Sequence, residues 1–287
     1  MTGRPGDVGT VYTERTPRVV RARALLRRVR RDERRRFLAE GPQAVAEAMA
    51  DAEELFGTAE ALTRHAELVE SARAAGVRVS PVTDRALAAL ADTRHPQGLV
   101  AVCRYVDVPL DAALARRPRL VVVLAGIADP GNAGTVLRTS DAAGADAVVF
   151  TDDSVDVYNG KCVRASAGSV FHLDVVRGGD PDAVVAALRS AGLFVAATDL
   201  RGAYDLDRLA DSGALAVPTA WLFGTEAHGL PAELAAAADA RVRVPMHGRA
   251  ESLNLAAAAA VCLYTSARAL RPATGGAAAI RRDAEGR

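Results

Sequence analysis

The stretch Leu120-Val-Val-Val-Leu-Ala125-Gly126-Ile-Ala-Asp129-Pro-Gly-Asn132-Ala-Gly134 decides the fold. Its continuous apolar run, rich in β-branched valine, reads as a strand buried on both faces, as the strands of parallel sheets are. Gly126, Pro130 and Gly131 break the run, and a helix is expected from Gly134 to Ala143. Strand, small polar turn and helix in that order make half of a βαβ unit. The alternation continues downstream. Strands are expected at Ala147–Phe150, Phe171–Val176, Leu193–Ala197, Ala220–Phe223 and Arg241–Val244, and helices at Pro181–Ala191, Pro231–Ala238 and Ser252–Ala269.

Upstream, Val20, Ala24, Leu25 and Val29 recur at helical spacing among arginines, which predicts a basic helix over Val19–Arg36. Strands at Phe37–Ala39, Glu54–Gly57, Val77–Pro81 and Gly98–Val106 then alternate with helices at Gln43–Met49, Arg64–Ala75 and Asp84–Leu90. The expected organisation is a flexible leader over 1–18, a small α/β domain over 19–107, a linker over 108–118, a larger α/β domain over 119–271 and a flexible tail over 272–287.

With 287 residues, half of them hydrophobic, the chain has ample material for a packed core. No apolar stretch long enough to span a bilayer escapes interruption by charges or turns, and residues 1–18 have no apolar core of a signal peptide. Cys103, Cys162 and Cys262 lie too far apart to predict a disulfide framework or zinc cage, so a reducing cytoplasm is expected. The five histidines show no metal-ligand spacing, and no metal is expected. Net charge is +1, yet residues 1–36 hold twelve arginines against Asp7, Glu14, Asp32 and Glu33; that head carries +8 and the rest −7.

Three loops of the larger domain follow strands and precede helices, where open α/β sheets bind ligands. They are Gly126–Gly134 with Arg138 beyond it, Leu222–Pro231, and Val244–Asn254. Each also has a plain structural reading. Asn132 suits a helix N-cap or turn, Arg138 a solvated or paired arginine, Glu226 an ordinary loop acid, and Ser252 the N-cap of the alanine-rich helix after it. A proline inside Gly126-Ile-Ala-Asp-Pro-Gly131 and the missing middle glycine argue against a dinucleotide fingerprint. Phosphate-loop and nucleophile-elbow motifs are absent from the sequence as well.

Taken together, the order, spacing and residue types of the three loops resemble the SpoU-type (TrmH-like) RNA ribose methyltransferases of the SPOUT superfamily. The matching residues are Asn132 with Arg138 six positions later, Gly224-Thr-Glu226, and Pro245-Met246, Gly248 and Ser252-Leu-Asn254. The resemblance covers about 119–270. Phe37-Leu-Ala-Glu-Gly41, His95-Pro-Gln-Gly98 and Arg164-Ala-Ser-Ala-Gly-Ser-Val-Phe-His172 look like the family's substrate-binding domain and middle segment.

The resemblance implies a parallel-sheet α/β catalytic domain tied in a deep trefoil knot, behind a small ribosomal-protein-like RNA-binding domain. It implies S-adenosylmethionine-dependent methylation of a ribose 2′-hydroxyl in structured RNA, with 23S-type rRNA preferred, and a homodimer. Arg138, Asn132, Glu226, Ser252 and Asn254 are carried over as catalytic. Leu222, Phe223, Gly224, Thr225, Glu226, Val244, Pro245, Met246, Gly248, Ser252 and Leu253 are carried over as cofactor loops, with Leu222, Met246 and Leu253 expected beside adenine. Arg21, Arg23, Arg27, Arg28, Arg34, Arg35 and Arg36, together with Arg138, are the expected RNA contacts, since phosphate attraction governs such affinity. A tRNA ribose or antibiotic-resistance rRNA methyltransferase is the alternative within the class. Outside it stand a non-catalytic RNA-binding or ribosome-assembly protein and a nicotinamide oxidoreductase.

Overall fold

The computed structural model describes residues 10–271; the expected tail and the first half of the expected leader lie outside them. Two sheets organise the chain. The first domain runs α1 (Pro17–Arg23), α2 (Arg28–Arg34), β1 (Arg36–Glu40), α3 (Pro42–Glu47), β2 (Ala52–Gly57), α4 (Ala59–Arg64), α5 (Ala66–Ala74), β3 (Arg78–Pro81), α6 (Asp84–Leu90) and β4 (Leu99–Arg104). Its sheet order is β1-β4-β2-β3, with β4 antiparallel to both neighbours and β2 parallel to β3.

The second domain follows: α7 (Leu110–Ala115), β5 (Leu120–Leu124), α8 (Pro130–Ala143), β6 (Ala147–Phe150), α9 (Gly160–Ser166), β7 (Asp174–Arg177), α10 (Pro181–Ser190), β8 (Phe194–Thr198), β9 (Tyr204–Asp205), α11 (Leu206–Asp211), β10 (Thr219–Phe223), α12 (Ala232–Ala237), β11 (Ala240–Arg243) and α13 (Leu255–Leu270). Its seven strands are all parallel, in the order β7-β6-β5-β10-β8-β11-β9. Every residue of β5 and β10 is buried, because helices cover both faces. Leu120, Val122, Trp221 and Phe223 pack toward α8, α9, α11 and α13, while Val121, Val123, Ala220 and Leu222 pack toward α7, α10 and α12. The indole of Trp221 donates to Ser266 Oγ at 2.8 Å, fixing α13 against the sheet.

Several sequence expectations shift. Residues 10–18 do not form a free leader: Tyr12 pairs its backbone with Pro81 and Thr83, and α1 begins at Pro17. The single basic helix is two helices with a short 3-10 turn, Ala24–Leu26, between them, so that Val19, Ala22 and Leu25 reach the first domain's core. Arg36 falls on β1, after Arg35 has turned the chain with a left-handed φ of 52°. The helix expected over Arg64–Ala75 is α5, which starts at Ala66, and α4 (Ala59–Arg64) before it was not foreseen. The presumed linker contains α7, whose Ala113 is buried in the second domain's core. Helix α9, strand β9 and helix α11 were not foreseen, and the strand expected from Phe171 begins at Asp174 after a 3-10 turn.

The two domains share one apolar core, in which Phe37 of β1 meets Tyr158 at 4.5 Å and Phe171 at 5.7 Å between ring centres. Polar ties surround it. Arg31 is 5% exposed; its Nη2 lies 2.6 Å from Asp156 Oδ2, and its Nη1 donates to the Leu25 and Leu26 carbonyls at 3.0 Å. His172 bridges Glu47 of α3, at 3.0 Å, and Asp141 of α8, at 2.8 Å. Arg164 of α9 reaches Glu40 of β1, at 3.1 Å, and Asp92, at 3.2 Å. All three cysteines are free and buried, and burial pushes their thiols up, that of Cys262 to about 12.

Two stability measurements test this joint. Arg31→Met removes the nearer partner of the buried Asp156 carboxylate, leaving Arg177 at 3.4 Å, and is expected to cost up to about 3–5 kcal/mol in denaturant unfolding; a loss below about 1 kcal/mol refutes a structural role. The hydrogen bond to Asp141, with that to Glu47, raises the His172 pKa above its usual 6.5 against the opposing pull of burial. Its stabilisation is therefore complete below that unfolded-state value and disappears as pH climbs through the raised folded value. The stability gap between wild type and His172→Ala should accordingly be widest at pH 5–6 and shrink toward alkaline pH; a gap that widens with pH contradicts the bridge.

Candidate active site

The three loops come together at the carboxyl ends of β5, β10 and β11, and polar groups have few other places to go on a sheet buried on both faces. Asp129 caps α8 by accepting the Asn132 backbone N–H at 2.8 Å. The cap is therefore Asp129, not Asn132, whose side chain is left free to bridge. Its Nδ2 donates to Glu226 Oε1 at 2.6 Å, and its Oδ1 accepts from Asn254 Nδ2 at 3.2 Å. One amide thus ties the first loop to the second and third.

The second loop closes on itself through paired backbone bonds between Thr225 and Gly229, at 3.0 and 2.8 Å. A Cβ on Gly224 would stand 2.2 Å from the Gly229 carbonyl carbon, so no larger residue permits this return of the chain. The third loop ends at Asn254, whose Oδ1 caps α13 by accepting the Ala256 N–H at 2.9 Å. Ser252, the cap expected from sequence, lies exposed two residues earlier.

Beside this junction opens a cavity of about 620 Å³. Phe223, Val244, Met246 and Leu253 supply apolar wall, and Gly224, Thr225, Glu226, Ser252 and Asn254 supply polar rim. Sequence reasoning missed a fourth strand end, Thr198-Asp-Leu-Arg201 after β8, which also lines it. The signal was present, since an apolar strand runs there into a polar turn ending at Gly202. Burial pulls the Asp199 carboxyl upward, but the Arg201 N–H and the Arg241 guanidinium at 2.5 Å hold it below the ordinary carboxylate range.

Not every expected residue arrives. Leu222 is fully buried in the core on the opposite sheet face and offers no side chain to the cavity. Pro245 and Gly248 lie in the third loop without lining it. Arg138 is exposed on α8, outside the cavity wall, with no ion pair among the described residues. Among the N-terminal arginines, Arg28, Arg35 and Arg36 hold Asp32, Asp107 and Glu53, and Arg34 donates to the Arg21 carbonyl. Arg21, Arg23 and Arg27 present exposed side chains. Among the described residues no cluster of three or more His, Cys, Asp or Glu could hold a metal ion.

The model of the SpoU rRNA Methylase family matches residues 119–264, and that of the MRM3-like substrate binding domain matches 16–101. The 23S rRNA (guanosine(2553)-2′-O)-methyltransferase RlmP of Bacillus subtilis is 35% identical over 228 residues, covering 79% of this chain and 87% of that protein. The chain belongs to the SpoU rRNA methylase family. An AdoMet-bound rRNA methyltransferase from Sinorhizobium meliloti superposes with a TM-score of 0.78 at 32% identity, over 91% of this chain and 99% of that one. The SpoU methyltransferase AviRb from Streptomyces viridochromogenes, in complex with AdoMet, gives 0.75 at 30% identity over 88% and 98%. The family's fold, a parallel α/β core behind an N-terminal substrate-binding domain, is the one described above.

Asn254 separates support from chemistry. Asn254→Ala removes a cap and is expected to lower stability by about 1 kcal/mol. Asn254→Asp keeps a capping oxygen but loses the donor to Asn132, so it should hold its melting temperature while methyl transfer falls at least tenfold. Equal activity of Asn254→Asp and wild type shows that the bridge to Asn132 is idle.

Proposed function

We propose that this chain transfers the methyl group of S-adenosylmethionine to a ribose 2′-hydroxyl of rRNA, acting as a homodimer in the cytoplasm. The observation that carries this reading is the Asn132 junction on the rim of the cavity, made from the three loops whose motifs define the resemblance. The cavity suits the cofactor: it is large enough, its apolar side matches adenine, and its polar side matches ribose and amino-acid groups. When bound, S-adenosylmethionine supplies an activated methyl group. Val244, Met246 and Leu253 would flank its base, and Glu226 and Ser252 would meet its polar groups. The knotted path belongs to the same reading, supported by the return of the third loop's Asn254 to Asn132 of the first.

The protein's task is then to aim the acceptor oxygen and manage its proton, since near-attack positioning is worth about 7–11 kcal/mol. A guanidinium is a poor base and a good cation, and Arg138 serves as the cation. It grips the phosphate next to the target ribose and steadies the alkoxide as the 2′-hydroxyl proton leaves to phosphate or water. Within one chain Arg138 stands outside the cavity wall, and in the proposed homodimer the second copy would supply it at the mouth. Val261 and Tyr264, 41% and 55% exposed on α13, supply apolar contact for that copy.

Transfer of labelled methyl to total rRNA and tRNA, with mapping of the nucleotide that resists alkaline cleavage, tests the function; a protected rRNA nucleotide supports it, and labelling of an acceptor lacking the 2′-hydroxyl sinks it. Arg138→Ala should lower turnover by about 10²–10³-fold with cofactor affinity within about twofold of wild type; the reverse pattern overturns its assignment. Replacing Arg21, Arg23 and Arg27 together with alanine should weaken RNA binding and reduce the slope of log K against log salt by up to about 0.7–0.9 per lost phosphate contact. An unchanged slope removes α1 and α2 from the interface.

A further inference from the structure

A second, smaller cavity of about 210 Å³ lies between the two domains, lined on one side by Glu40, Gln43, His95 and Gln97 and on the other by Arg164 of α9. Its floor is fully engaged: Glu40 accepts from Arg164, from the Asp92 N–H and from the Thr93 hydroxyl. Its rim is not. The amides of Gln43 and Gln97 and the imidazole of His95 are exposed, and none has a hydrogen-bond partner among the described residues. Two amides and an imidazole offer donors and acceptors together, which suits the mixed edge of a nucleobase and suits a phosphate poorly. Arg164, the one cation on the wall, is already engaged by Glu40 and Asp92 and so has little left to offer an anion.

The cavity is joined to the active site by α9. Gly160, at its start, lies against Asp92 and Arg164, and Lys161, one position on, reaches Asp129 Oδ2 at 2.7 Å. Asp129 caps the turn of α8 that bears Asn132. Three residues of helix, roughly 4.5 Å of rise, separate Lys161 from Arg164, so one helix carries both contacts. Lys161, the chain's single lysine, is half exposed and pairs with Asp129 on the active-site side of α9.

We infer that this interdomain cavity is a base-reading subsite, in which Gln43, His95 and Gln97 hydrogen-bond an unpaired base flanking the methylated nucleotide. The subsite rests on the function proposed above and names how the RNA is chosen. Single-stranded bases are the usual targets of sequence-specific RNA recognition because their edges are free.

The test uses the full chain and the shortest rRNA fragment that the wild type methylates, with each nucleotide near the target made abasic in turn. One flanking abasic position should lower wild-type kcat/KM at least tenfold, chiefly through KM. The variant Gln43→Ala/Gln97→Ala, changed only at exposed side chains, should methylate the intact and abasic fragments equally, with S-adenosylmethionine affinity unaltered. If the variant still discriminates as the wild type does, or no flanking base matters, the subsite is refuted while the methyltransferase reading stands. If the wild type methylates no rRNA ribose, that reading fails and the subsite falls with it.

Discussion

A parallel sheet covered on both faces leaves polar chemistry only at strand ends, and this constraint shapes the whole molecule. β5 and β10 spend every side chain on two cores, so the loops leaving them carry what is not apolar. Those loops lie far apart in the chain, and their meeting needs a link that holds without burying a charge. The Asn132 amide provides one, donating to Glu226 and accepting from Asn254. Because it stays neutral while acting in both senses, it can join an acid to a second amide at a half-open rim with little desolvation cost.

Close helix packing serves the same end. Gly134 lets α9 approach α8 so nearly that a Cβ there would lie 2.3 Å from the Cys162 carbonyl oxygen. That approach sets Lys161 against Asp129 and carries Arg164 to the first domain, so the helix joining the active site to the interdomain cavity is positioned by a missing side chain. The basic head has a comparable double character. Arg31 is a core group with a buried partner, Arg35 covers Tyr105 with its guanidinium at 4.6 Å, and only some of the arginines face water unengaged.

The strands of the second domain were readable because valine-rich runs are unmistakable where both faces are buried, and the three loops were readable because their residues sit at fixed spacing. Other features depended on tertiary contacts. α9 has only Cys162, Val163 and Ala165 as apolar signals, and the two residues of β9 form an edge that pairs only with β11. The N-terminal helix divides at Ala24–Leu26 because Leu25 must turn inward, a need set by the sheet beneath it. Choosing Ser252 over Asn254 as a cap was a two-residue ambiguity between equally good capping side chains. The outward placement of Arg138 was legible in principle: six residues from Asn132 amount to about 240° around a helix, so the two cannot share a face.

One continuous core runs beneath both domains, laced by Arg31, Arg164 and His172. Hinged enzymes close over their substrates; a body joined in this way has no independent half to swing. In an RNA complex the distortion must then fall on the nucleic acid, which has to unstack and bend to fit a fixed groove. Such a protein favours strands already loosened by their own architecture, and the stiffness of its joint becomes part of how it tells one RNA from another.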